Sequence, residues 1–190
     1  MRIVVGISGA SGSIYGWRLL QKMQLKRDVE SHLILTRSAE RTAYLEMGKS
    51  AADFRALADH WYPLEDIGAV LASGSFLTGG MVVAPCSIHS MSAIATGVSS
   101  NLLLRAADVC LKEKRRLILM VRESPFHQGH LRSMLALAEM GAVIAPPIPG
   151  FYTKPKTIED LVDHSVDRVL DLLGLPDDQT PRWDGGRQEK

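Results

Sequence analysis

The chain has 190 residues, 46% of them hydrophobic and 23% charged, with a formal net charge of +1. That length buries one substantial core and is short for two ordinary domains, so one domain over residues 1–175 is expected, with a polar tail over 176–190. Both signs of charge are interspersed, which gives no basic field for nucleic acid or an anionic membrane, and no apolar run nears the roughly 20 residues needed to cross a bilayer. The two cysteines, Cys86 and Cys110, are too few for a disulfide framework, and a cytoplasmic protein with neither nucleic acid nor membrane as partner is expected.

In chain order, short apolar runs alternate with helical patterns. Residues 2–7 read as a strand, followed by a helix over 14–25 with Leu19, Leu20 and Met23 on one face. Residues 32–36 read as the second strand and 38–46 as the next helix. The third strand spans 81–84, with helices over 88–95 and 101–114. The fourth spans 116–121, with a helix over 130–140. The last strand covers 141–145 and the last helix 158–173, with Thr157 placed to cap it. Apolar runs without polar alternation suit strands covered on both faces. The pattern predicts a three-layer α/β fold, a Rossmann-like or flavodoxin-like doubly wound parallel sheet, whose ligands lie at the carboxyl ends of the strands.

The loops after the strands therefore carry the chemistry. Gly6-Ile7-Ser8-Gly9-Ala10-Ser11-Gly12-Ser13 is a small-residue loop running into a helix. It suits a phosphate, through close backbone approach and the helix N-terminus, or simply makes a tight turn. It lacks the G-x-G-x-x-G spacing and the lysine of a nucleoside triphosphate loop. Thr36 faces the same two readings. Pro85-Cys86-Ser87-Ile88-His89-Ser90 offers hydroxyls to a ring or phosphate, or only a cap at Ser87; Cys86 itself reads as a small buried filler.

Arg105 and Lys112 lie two turns apart on one helix face, and Arg122-Glu123 ends the fourth strand. Guanidinium groups at a strand end suit phosphate, and three cations and one carboxylate could converge, although a solvated face is the leading account of Arg105 and Lys112 taken singly and only the Arg122-Glu123 pair resists it. Pro149-Gly150-Phe151-Tyr152 follows the last strand and offers Tyr152 as a donor. Trp61 reads as a core residue. The histidines show no metal-ligand spacing and no aspartate-rich diphosphate motif is present, so no metal site is expected.

Taken together, the Gly6 to Gly12 loop, Pro85-Cys86-Ser87, the run from Arg105 to Glu113, Arg122-Glu123 and Pro149-Gly150-Phe151-Tyr152 resemble the UbiX family of flavin prenyltransferases. The resemblance implies transfer of a dimethylallyl group from dimethylallyl monophosphate to N5 and C6 of reduced FMN. The prenylated FMN would serve a UbiD-type decarboxylase, in quinone synthesis or in breakdown of phenolic acids. It implies a homo-oligomer, a dodecamer, with both ligands near subunit contacts.

By the same resemblance FMN falls to Gly9, Ala10, Ser11, Thr36, Ser87, Ile88, His89, Ser90 and Arg122. The prenyl phosphate falls to Arg105, Lys112, Arg122, Glu123, Tyr152 and Arg168, with Trp183 in a tail segment that closes over a neighbouring subunit. Ser11 and Glu46 match the proton-handling pair, and Lys112 and Glu123 would act on the leaving phosphate. Ile67 and Gly68 stand near a place where some relatives carry tryptophan, ahead of Ser73-Gly74-Ser75. A cysteine decarboxylase would show an asparagine in the Pro85 loop, which is absent here, and a non-catalytic flavin carrier would use the phosphate loop but not the cations.

Overall fold

A computed structural model describes residues 1–177 together with Thr180, Arg182, Trp183 and Gly185. Strands β1 (Arg2–Ile7), β2 (Glu30–Leu35), β3 (His60–Tyr62), β4 (Gly80–Cys86), β5 (Arg116–Val121) and β6 (Val143–Ile144) form one sheet in the order β3-β2-β1-β4-β5-β6. Every pairing is parallel. That is the Rossmann strand order, and its switch point lies between β1 and β4.

The helices are α1 (Ser13–Gln24), α2 (Arg37–Met47), α3 (Ala51–Leu57), α4 (Ile88–Ala95), α5 (Leu102–Lys112), α6 (Gln128–Glu139) and α7 (Ile158–Leu173). Side chains alternate across a strand, so each central strand feeds two cores. Ile3, Val5 and Ile7, with Leu33, Val82 and Ile118, face a core closed by α1, α2, α3 and α7. Val4, Ile34, Met81, Val83, Leu117 and Leu119 face the other, closed by α4, α5 and α6. Both faces of β1 and β4 are covered, which is why their sequence reads as continuous apolar runs. Each aliphatic side chain so buried contributes about 1.5–3 kcal/mol of transfer free energy.

The predicted sheet and helices are present. The sequence reading lacked α3 and β3, and β6 is shorter than the five-residue run suggested. Trp61 is a correction: it lies on edge strand β3, 47% exposed, with the Arg55 guanidinium 4.2 Å over its ring, rather than in the core. An edge strand has a neighbour on one side only, which leaves its side chains more open to solvent, and a stacked arginine covers an aromatic there. Cys86 and Cys110 are buried free thiols, each pushed up to about 12 mainly by burial. No helix among the described residues is long and apolar enough to cross a membrane.

Candidate functional site

At the switch point, the loops after β1, β2 and β4 meet around a cleft of about 590 Å³ lined by Ser8, Gly9, Thr36, Ser87, His89, Ser90 and Asn101. Three helices begin here, and each has a side-chain cap. Thr36 Oγ1 accepts from the Ala39 amide at 3.1 Å, Ser87 Oγ from Ser90 at 3.3 Å, and Asn101 Oδ1 from Leu104 at 3.1 Å. The N-termini of α2, α4 and α5 thus point their partial positive ends at one cavity, and Arg37 stands at its rim, paired with Glu65 at 2.7 Å.

The loops are tied to one another. Ser8 Oγ donates to the Pro85 carbonyl at 2.9 Å and accepts from the Ser87 amide at 2.7 Å, fixing the β1 loop to the β4 loop. Gly9 passes so close to α2 that a Cβ there would lie 2.4 Å from Ser38 Cβ, so only glycine allows this approach. The amides and hydroxyls suit a phosphate with a flat polar ring, while the guanidinium of Arg37 is shared with the Glu65 carboxylate at the rim.

The N-terminus of α1 is different from what its sequence suggested. Gly12, with φ of 103°, caps the helix without a side chain. Glu46, from α2, fills that role. Its carboxylate accepts from the Gly12 amide at 3.0 Å and the Ser13 amide at 2.9 Å. The anion seat of α1 is therefore taken by the protein's own carboxylate, and the phosphate-like sites are the starts of α2, α4 and α5. Burial pushes the Glu46 pKa up, but hydrogen bonds from Ser11, Ser13 and Gly12 outweigh it and hold the group below the ordinary value. Ser11 and Glu46, paired in the sequence reading, are thus in contact.

The expected convergence of cations is corrected for the single chain. Helix α5 runs antiparallel to the strands: Asn101 opens it at the cleft, and Lys112 ends it just before β5 begins at Arg116. Arg122 follows the far end of β5. A six-residue strand separates those two edges by about 20 Å. At one edge, Lys112 pairs with Glu113 beside Gly74, while Arg105, in the first turn of α5 and nearer the cleft, binds the Ala72 carbonyl at 3.2 Å and Asp108 at 2.6 Å. At the other, Arg122 stands by Tyr15, and Glu123 accepts from the Ser124 amide at 2.9 Å.

A third group lies along α7. Tyr152 shares a hydrogen bond with His164 at 2.9 Å and meets the Trp183 ring at 5.9 Å. Arg168 and Arg182 both bind Asp171, at 2.6 and 2.9 Å, and Tyr152, Arg168 and Trp183 line one shallow cavity. Most of the 176–190 tail lies outside the described residues. Ile88 opens α4 beside the cleft and Ala10 lies in the loop after β1. Ser8 lies within the phosphate loop read from the sequence but was not singled out there, and Arg37 and Asn101 were not assigned to the site; Asn101 left a signal as a capping residue ahead of Leu102-Leu103-Leu104.

The Flavoprotein family profile matches residues 1–170. The flavin prenyltransferase UbiX of Thauera aromatica is 50% identical over 190 residues, covering 100% of this chain and 97% of that protein. The chain belongs to the UbiX family of flavin prenyltransferases. The UbiX of Escherichia coli K12 is 50% identical over 186 residues, covering 97% of this chain and 98% of that one.

Two solved UbiX-type structures superpose closely. One is described as a dodecameric FMN-dependent UbiX-like decarboxylase from Escherichia coli O157:H7. It has a TM-score of 0.95 at 45% identity, covering 97% of this chain and 100% of that one. The other is AnUbiX (PadA1) in complex with FMN and dimethylallyl pyrophosphate, with a TM-score of 0.94 at 44% identity and 97% of each chain covered. The same α/β fold appears in a PPC decarboxylase at 19% identity, with a TM-score of 0.64.

Proposed function

We propose that this chain binds FMN in the switch-point cleft and transfers a dimethylallyl group from dimethylallyl monophosphate to N5 and C6 of the reduced flavin. The observation that carries this reading is the convergence of three capped helix N-termini on one cavity, in a chain half identical to flavin prenyltransferases over its full length. The product would be prenylated FMN for a UbiD-type decarboxylase.

When bound, reduced FMN supplies the nucleophilic N5 and C6 positions. Gly9, Ala10, Ser11, Thr36, Arg122 and the Ser87 to Ser90 turn hold and orient it. Arg105, Lys112 and Arg122, with Tyr152 and Arg168, neutralise charge on the departing phosphate, which lowers the barrier to breaking the allylic C–O bond without a metal. Glu123 accepts a proton from, or guides, that phosphate. Glu46, held as a carboxylate by its three donors, accepts a proton delivered through Ser11.

Because Lys112 and Arg122 stand at opposite edges of one sheet, they meet at one phosphate only if they come from different subunits, which accords with a homo-oligomer such as the dodecamer of the structural relative. Trp183, on the tail, closes the site from a neighbouring copy.

The test is anaerobic incubation with reduced FMN and dimethylallyl monophosphate, followed by mass analysis of the flavin. A mass increase of one dimethylallyl unit, intact after chelator treatment, is expected. Glu46→Gln and Lys112→Ala should keep flavin and lose transfer; full transfer in both would overturn the mechanism. Peptidyl or phosphopantothenoyl cysteine in place of the prenyl phosphate should give no product.

A further inference from the structure

A second constellation lies away from the flavin cleft, on the α5 side of the sheet. Glu30 and His32 are two apart on β2 and therefore share a face, and His60 on β3 pairs with His32 in register. Strand pairing thus gathers Glu30, His32 and His60, with one ligand atom from each lying within 4.8 Å of the others. Spacing along the chain gave no hint of this, because the third ligand arrives from a neighbouring strand.

We propose that Glu30, His32 and His60 form a binding site for a divalent first-row transition metal, zinc foremost.

Two imidazoles and a carboxylate are a donor set suited to zinc and its neighbours, with a fourth position left for water. Glu30 Oε1 stands 2.9 Å from His60 Nε2 and 3.4 Å from His32 Nε2. Neighbouring ligand atoms in a tetrahedral zinc shell stand about 3.3 Å apart. The two histidine rings are already stacked, with centroids 4.8 Å apart. His60 is exposed on the edge strand and can turn to close the remaining gap.

The independent observation is at His32. Its side chain is 2% exposed, yet Nε2 has no hydrogen-bond partner and faces Glu30 without hydrogen-bond geometry. A buried polar nitrogen left unpaired costs stability unless something binds it. Its other nitrogen, Nδ1, is 2.9 Å from the Tyr62 hydroxyl. A partner on one nitrogen that fixes the ring and presents the other is the usual support behind a metal-bound histidine.

The remaining neighbours are compatible. Arg2 binds the other oxygen of Glu30 at 3.3 Å, turning Oε1 toward the histidines, and its guanidinium lies over the Phe76 ring at 4.6 Å. Phe76 also meets the His32 ring edge-on. Asp59, which binds the Ser31 amide, is the other nearby carboxylate and is occupied there.

The experiment is titration of chelator-stripped full-length protein with Co²⁺, read by visible absorption, and with Zn²⁺, read by calorimetry. One equivalent per chain, with the strong absorption of four-coordinate Co²⁺ bleached by Zn²⁺, is the expected result. His60 is exposed and Glu30 half-buried at the start of β2; His60→Gln and Glu30→Gln, with the fold checked by circular dichroism, weaken binding roughly a hundredfold or more. Tyr62→Phe should weaken it about 10- to 100-fold through loss of the supporting hydroxyl. No saturable binding, or binding unchanged in His60→Gln, would overturn the proposal. X-ray absorption of the zinc-loaded wild type gives a check that needs no variant: two imidazoles and a carboxylate oxygen support the site, and any sulfur ligand defeats it.

Discussion

Glu46 serves two demands with one carboxylate. It replaces the missing cap of α1, and it is placed to accept a proton beside Ser11. Its folded-state pKa lies below the ordinary value of 4.5, so the charged form is the one the fold favours. Stability from this contact is full above that ordinary value and fades as the pH falls through the lower folded pKa. Glu46→Gln should therefore melt below the wild type at neutral pH, and the gap should close in acid. Thermal unfolding from neutrality down to about pH 3 reads this directly, and a gap constant with pH would show that the carboxylate charge contributes nothing.

At the scale of elements, the three helix starts around the cleft set both order and charge. Asn101 caps α5, and a lost cap costs about 1 kcal/mol. Asn101→Asp keeps a capping oxygen but places a negative charge in the cleft. The variant should melt close to the wild type, bind FMN markedly less well and lose little affinity for riboflavin, which has no phosphate; parallel fluorescence titrations with the two flavins measure the difference. The helices and strands themselves were readable because β1, β4 and β5 are buried on both faces and α1 and α5 carry clear apolar stripes. Element β3 was not, since three residues with two exposed side chains leave no hydrophobic period. The cap at α1 was hidden for another reason: Glu46 lies 34 residues from Gly12, and sequence patterns for caps look only three residues ahead.

For the whole molecule, the direction of α5 decides how the cationic residues can act. The motif residues were legible from the chain, but the sequence could not say that Lys112 and Arg122 end on opposite edges, because that follows from packing a helix antiparallel to its strands. If the two serve one phosphate from separate subunits, Lys112→Ala and Arg122→Ala should each be inactive alone. Refolded together in equal amounts, they should regain transfer at about a quarter of the sites, the fraction in which both donors are intact. Continued inactivity of the mixture would place both groups in one subunit's site.

The same orientation ties catalysis to population. If Lys112 reaches the phosphate only from a neighbouring subunit, an isolated chain would keep Thr36, Ser87 and Asn101 around its own cleft but lack that cation, and transfer would stop on dilution. Rate per chain would then rise steeply with protein concentration until assembly saturates.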